Sequence, residues 1–223
     1  MMGLLKGYWF ARCQASKIRD LWWVRRCYPG FRKYIAVFRS EYRSCNPFHL
    51  VRDYFLAKGE RENGIYGETP LRTMEALARE CAITERDCVF DLGCGRAMAL
   101  CFISYLTGCK GVGIDLIPTF IEKSKLIHSR ISDAPSLLFL CKDYVLCDLT
   151  QATCIYLYGT CLEDKRIYEL VDVLRELSSS VKIVTVSYPL TDYSQDFTVV
   201  KRWKGEFPWG STELYLNRSK KVI

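Results

Sequence analysis

The residues with most chemical content are Asp91, Gly93 and Gly95, in the run Val89-Phe-Asp91-Leu-Gly93-Cys-Gly95-Arg-Ala97. Two glycines one residue apart let a backbone pass close to a ligand. A dinucleotide site asks for G-x-G-x-x-G, whose third glycine packs helix on strand beneath a pyrophosphate. Counted from Gly93, that position is Met98, so the fingerprint fails. It also makes no use of an acid two residues before its first glycine, where Asp91 stands. Two further acids follow in comparable places: Asp115 closes Gly111-Val-Gly-Ile-Asp115, and Asp143 lies in Cys141-Lys-Asp143-Tyr144. Other chemistries lack their residues. His49 and His128 are the only histidines, which leaves little for a His-based hydrolase. The twelve cysteines form no C-x-x-C pair, and the one histidine near a cysteine, His49 four residues after Cys45, stands without a second such pair, so no metal site is expected.

The elements that position these acids read as alternating strands and helices. Strands are expected at 88–92, 111–115, 136–141, 152–158 and 181–187. Helices are expected at 97–107, from Pro118 to about 131, and at 163–178. An earlier helix shows Leu71, Met74, Leu77, Ala78 and Cys81 at three- and four-residue spacing, with Thr69 as its N-cap and Pro70 at its first position. The expected fold is α/β, a Rossmann-like, mostly parallel sheet with helices on both faces. Two β-rich runs, 197–204 and 211–218, flank Pro208-Trp209-Gly210 and predict an antiparallel hairpin at the C-terminal end.

With three acids after three consecutive strands and the two glycines, the sequence resembles the class I S-adenosylmethionine-dependent methyltransferases. Their first motif is D-x-G-x-G-x-G; this chain matches Asp91, Gly93 and Gly95 and has Ala97 for the last glycine. The resemblance implies S-adenosylmethionine as cofactor, with Asp91 helping to orient its ammonium, Asp115 accepting the ribose hydroxyls and Asp143 at the adenine amine; Tyr144, next to Asp143, is a further cofactor-binding candidate. A narrower resemblance covers about residues 65–145. Tyr66-Gly67-Glu68-Thr69, a helix and then the Asp91 motif look like the cofactor loop of the disruptor-of-telomeric-silencing histone-lysine methyltransferases. By that resemblance Tyr66, Glu68 and Thr69 close over the methionine part of the cofactor. The family's asparagine-containing substrate segment is absent; Tyr156-Leu-Tyr158-Gly-Thr160-Cys stands there instead.

The function that follows is methyl transfer, with a protein lysine as the leading acceptor. An enzyme of the same fold acting on a small molecule, lipid or RNA is the alternative, and a non-catalytic cofactor-binding scaffold the third reading. Tyr158 and Thr160 are the candidate catalytic residues, because the end of the fourth strand faces the cofactor's methyl group in this fold. Tyr156, Tyr144 and the Trp209 region are further candidate walls.

Charge divides the chain. Residues 1–44 hold ten Lys/Arg and two acids, a net of +8, whereas the whole chain is +7. The zone 1–56 interleaves those cations with Tyr8, Trp9, Phe10, Trp22, Trp23, Tyr28, Phe31, Tyr34 and Phe38, and is expected to form a basic, aromatic, helical extension of a 57–223 methyltransferase domain. Through residues 1–44 it is expected to pack on that domain or to meet an acidic partner or an anionic membrane surface, with Trp9, Trp22 and Trp23 buried in either case. No run of 18 apolar residues and no signal-peptide pattern is present, and most cysteines lie in apolar runs. A cytoplasmic, reducing compartment with peripheral membrane association as an option is the matching expectation.

Overall fold

The structure, a computed structural model, describes residues 2–59 and 66–221, with the backbone alone for 2–14. Most of the polar run 57–64 and the side chains of Tyr8, Trp9 and Phe10 lie outside the described residues.

The N-terminal zone is mainly helical: α1 (Met2–Cys27), α2 (Arg32–Glu41) and α3 (Pro47–Ala57). Between α1 and α2 the chain makes a single 3-10 turn, Pro29–Phe31. Asn46 caps α3 by accepting from the Phe48 N–H (3.0 Å), with Pro47 at the first helical position.

The remaining elements are α4 (Leu71–Glu80), β1 (Cys88–Leu92), α5 (Met98–Thr107), β2 (Lys110–Asp115), α6 (Pro118–Ser129), β3 (Leu137–Cys141), β4 (Cys154–Leu157), α7 (Asp164–Leu174), β5 (Lys182–Val186), β6 (Phe197–Phe207) and β7 (Gly210–Ser219). They form one seven-stranded sheet in the order β3-β2-β1-β4-β5-β7-β6. The first five strands are parallel, and β7 runs antiparallel to both β5 and β6. Strand order reverses between β1 and β4, where Asp91 pairs with Tyr156. Ligands of open parallel sheets bind at such a switch point, beyond the C-terminal strand ends.

Apolar layers cover both faces. One centres on Phe90, Ile114, Ile155, Leu170, Leu174 and Ile183, beneath α7. The other contains Leu100, Phe102, Ile103, Phe120 and Val184, and takes in Val24, Phe31, Tyr34, Ile35 and Phe38 from the N-terminal zone. Phe31 stacks on Tyr34 (centroids 4.7 Å apart) and meets Phe102 edge-on at 5.0 Å. Trp23 is half-buried against Tyr28 and Phe102, but Trp22 is 60% exposed, contrary to its burial against the main body. The cause is geometric: Val24 and Trp23 take the inward face of α1, and Trp22 points across it to the Arg26 guanidinium.

Cysteines 81, 94, 101, 109 and 154 are buried among apolar side chains, as free thiols. Cys141 is exposed, because β3 is an edge strand. Among the described residues no helix is long and apolar enough to cross a membrane.

Candidate active site

A cavity of about 320 Å³ opens over the C-terminal ends of β1 and β4. Its wall includes Asp91, Gly93, Arg96, Tyr156 and Tyr158 from the sheet side, and Tyr66 to Leu71 from the segment leading into α4. α1 and α2 close the remaining side with Lys17, Asp20 and Tyr42 among others.

The glycine loop takes the form its sequence predicts. Gly93 has φ 82° and no heavy atom within 4 Å of where a Cβ would stand, so open space faces it. Gly95 has φ 51°, and a Cβ there would meet the Tyr66 ring at 3.0 Å. Ala97, in place of the motif's last glycine, is held left-handed as well, at φ 56°, a strained position for a residue with a Cβ. Its N–H is bonded to the Cys94 carbonyl (2.7 Å), and its carbonyl accepts from Cys101 N–H at the head of α5.

Asp91 is 5% exposed, and no described residue donates a hydrogen bond to it. Burial, reinforced by the charge of Asp115, pushes its carboxyl up to about 7. A buried carboxylate without a donor, beside open space, suits a cationic ligand group. Asp115 turns onto the loop: its Oδ2 accepts from the Gly95 N–H (2.7 Å) and its Oδ1 from the Ile117 N–H (2.9 Å). It lies outside the cavity wall and is partly buried, with lone pairs left for further donors. Asp143 and Tyr144 are also outside that wall. Asp143 pairs with Arg166 of α7 and accepts from the Val145 N–H (3.1 Å), while the same guanidinium covers the Tyr144 ring at 4.8 Å.

The Tyr66-Gly-Glu68-Thr69 segment lies against the glycine loop. Tyr66 donates to Glu68 Oε1 (2.7 Å) and stacks on Phe120. Glu68 also receives Arg96 Nε (2.5 Å) and Lys17 Nζ (2.8 Å). Burial alone would raise its carboxyl, but the two cations outweigh that and hold it at about 2. Thr69 does not cap α4. Pro70 occupies the cap position, and the Thr69 hydroxyl shares a buried 2.5 Å hydrogen bond with the Tyr156 hydroxyl. The capping acceptor comes from α1: Asp20 receives the N–H groups of Leu71 (2.8 Å) and Arg72 (3.1 Å). Burial raises the Asp20 carboxyl, with these two backbone donors opposing it.

Of the two candidate catalytic residues, Tyr158 lines the cavity and Thr160 does not. Tyr158 stacks on Phe207 (centroids 5.4 Å, planes 9° apart), Phe207 stacks on Trp209, and Trp209 Nε1 donates to the Tyr158 hydroxyl (2.9 Å). The tip of the β6–β7 hairpin is thus joined to the end of β4. The chain turns at Gly159, and the Thr160 hydroxyl meets Cys161 Sγ at 3.8 Å instead. Lys17, Asp20, Tyr42 and Arg96 were not singled out by sequence; Arg96, inside the glycine motif, is the one whose position carried a signal.

No protein-family model matches the sequence, and no curated protein sequence does. Solved structures do match by shape. An RNA methyltransferase from Salinibacter ruber, in complex with S-adenosyl-L-homocysteine, superposes with a TM-score of 0.59 at 20% identity, over 70% of this chain and 96% of that one. Magnesium protoporphyrin IX methyltransferase from Synechocystis PCC 6803, with bound S-adenosylmethionine, gives 0.55 at 13% identity, over 79% and 99%. The chain has the Rossmann-like methyltransferase fold. Neither structure extends the narrower likeness to the telomeric-silencing lysine methyltransferases, which rests on residues 65–145 of this sequence.

Proposed function

We propose that this chain is an S-adenosylmethionine-dependent methyltransferase whose acceptor is a lysine side chain of a protein. The observation that carries the reading is Asp91 beside Gly93: a buried carboxylate with no donor, facing open space at the β1/β4 switch point. These residues fit the cofactor, which when bound supplies a methyl carbon on a sulfonium leaving group. Asp91 then holds the ammonium, and the glycine backbone makes room for the chain that bears it. Tyr66 and Glu68 shield the loop from water. The protein's task in such a displacement is to align the nucleophile and exclude solvent.

Acceptor entry falls to the aromatic stack of Tyr158, Phe207 and Trp209. A lysine amine attacks only when neutral, and apolar ring walls disfavour its ammonium form. Ring faces also attract the methylated ammonium that forms. The Y-G-E-T segment supports the lysine reading on sequence. Incubation with methyl-labelled S-adenosylmethionine and a proteome extract tests it: the label is expected in protein, as methyl-lysine after hydrolysis. Label in RNA or in an organic extract would replace the acceptor, and label nowhere, with cofactor binding intact, would leave a scaffold.

The N-terminal zone is read as a recruiting surface. Of the two acids in residues 1–44, Asp20 is spent on capping α4 and Glu41 pairs with Arg130. Arg19, Arg25 and Arg26 are exposed around Ile18 and Trp22, a pattern that suits an anionic surface.

A further inference from the structure

The cavity wall contains a charge cluster that the glycine motif does not require. Glu68 is gripped on one side by Arg96 and on the other by Lys17, which reaches in from α1. The three side chains are partly shielded: 21% exposed for Glu68, 16% for Arg96 and 35% for Lys17. With Glu68 ionised, the cluster carries one positive charge in excess. Arg96 also lies over the Tyr42 ring (5.0 Å), and the Tyr42 hydroxyl is buried with no partner among the described residues. A net positive charge at the edge of a low-dielectric cavity attracts an anion more strongly than the same charge in water. In the same cavity Asp91 lacks a donor. The wall thus presents a place for a cationic group and a place for an anionic group, the chemistry of a free α-amino acid end.

We propose that Lys17 and Arg96 receive the carboxylate of the cofactor's amino-acid end, so that α1 of the basic N-terminal zone completes the cofactor site. This rests on the S-adenosylmethionine reading above and adds to it residues outside the glycine motif. Glu68 is the positioning residue: it holds both cations at the cavity wall, Arg96 on one carboxylate oxygen and Lys17 on the other, and Asp20, by capping α4, ties α1 to the segment that carries Glu68. The zone that supplies surface charge therefore also supplies part of the binding wall.

Two thioethers separate the carboxylate contact from the rest of the site. S-adenosylhomocysteine carries the amino-acid end; 5′-methylthioadenosine shares the adenosyl thioether and lacks it. Calorimetric titration of the full chain with each, for wild type, Lys17→Met and Lys17→Arg, is the test. Lys17→Met is expected to weaken S-adenosylhomocysteine about tenfold, as loss of one charge-assisted contact does. Methylthioadenosine affinity stays unchanged, and Lys17→Arg restores S-adenosylhomocysteine. Unchanged S-adenosylhomocysteine affinity in Lys17→Met, or an equal loss for both thioethers, overturns the proposal and leaves the cofactor reading standing. Wild-type protein that binds neither thioether overturns the cofactor reading itself, and this inference with it.

Discussion

If Asp91 holds the cofactor's ammonium as proposed, cofactor affinity should depend on pH, and the dependence has a calculable size. Its carboxyl sits at about 7 in the fold against 3.8 for an ordinary aspartate, raised first by burial and then by Asp115. The sign follows. The folded protein keeps the Asp91 proton more tightly than the unfolded chain, so Asp91 favours the fold at acidic pH. That contribution is lost as the pH rises from about 4 through 7. Holding the carboxylate ionised at higher pH costs about 4 kcal/mol relative to an exposed aspartate. A ligand ammonium offsets this cost only when Asp91 is ionised, so below pH 7 binding must expel the proton. At pH 8 about nine tenths of the protein carries the carboxylate, and at pH 6 about one tenth. S-adenosylhomocysteine should therefore bind about tenfold more weakly at pH 6, a loss of about 1.4 kcal/mol. Titration calorimetry in two buffers of different ionisation enthalpy should show close to one proton released at pH 6 and little at pH 8. Asp91→Asn should bind weakly at both. Glu68, held at about 2, does not titrate in this window, and His128 packs on Phe139 away from the cavity. Equal wild-type affinity at pH 6 and 8, with no buffer dependence, would refute the reasoning, as would an Asn variant with the wild-type slope.

Three further outcomes follow from the contacts. Asp20→Ala should lower stability by about 1 kcal/mol through loss of the α4 cap, seen as a lower urea midpoint. Trp209→Ala removes the outer ring of the stack and the donor to Tyr158; acceptor KM should rise while S-adenosylhomocysteine affinity holds, and a matched loss of both would sink the entry role. The full chain should sediment with anionic vesicles at low salt and be released as salt rises, whereas Arg19, Arg25 and Arg26 all changed to Ala should stay in the supernatant; sedimentation insensitive to those changes would remove the recruiting surface.

Parts of the fold were legible because their cause is local. Runs such as Cys88–Leu92 and Cys154–Leu157 are buried on both faces, and such strands read as short continuous apolar stretches. Gly93 and Gly95 between strand and helix announced the loop for the same reason: their backbone conformation is a property of the residue type. The hairpin was foreseen but not its reach. Its strands extend to Phe207 and Gly210, across a register shift between Val199 and Lys201, and so carry Trp209 to Tyr158. What stayed hidden is tertiary. Thr69-Pro70 has the look of a helix start, yet Asp20, 51 positions before Leu71, caps α4 and Tyr156 claims the threonine hydroxyl. Asp143 stands where the resemblance wants an adenine contact, but Arg166, on a helix two elements later, already faces it. Thr160 follows Tyr158 by two residues, a spacing that keeps side chains together only while the strand continues; β4 ends at Leu157.

Whether the cavity is an S-adenosylmethionine site is tested most directly by calorimetric titration of the purified chain with S-adenosylhomocysteine and, separately, with NAD. Saturable one-to-one binding of S-adenosylhomocysteine, weakened in Asp91→Asn, and no binding of NAD are expected. Binding of NAD, or S-adenosylhomocysteine that fails to bind a folded protein, would contradict that reading.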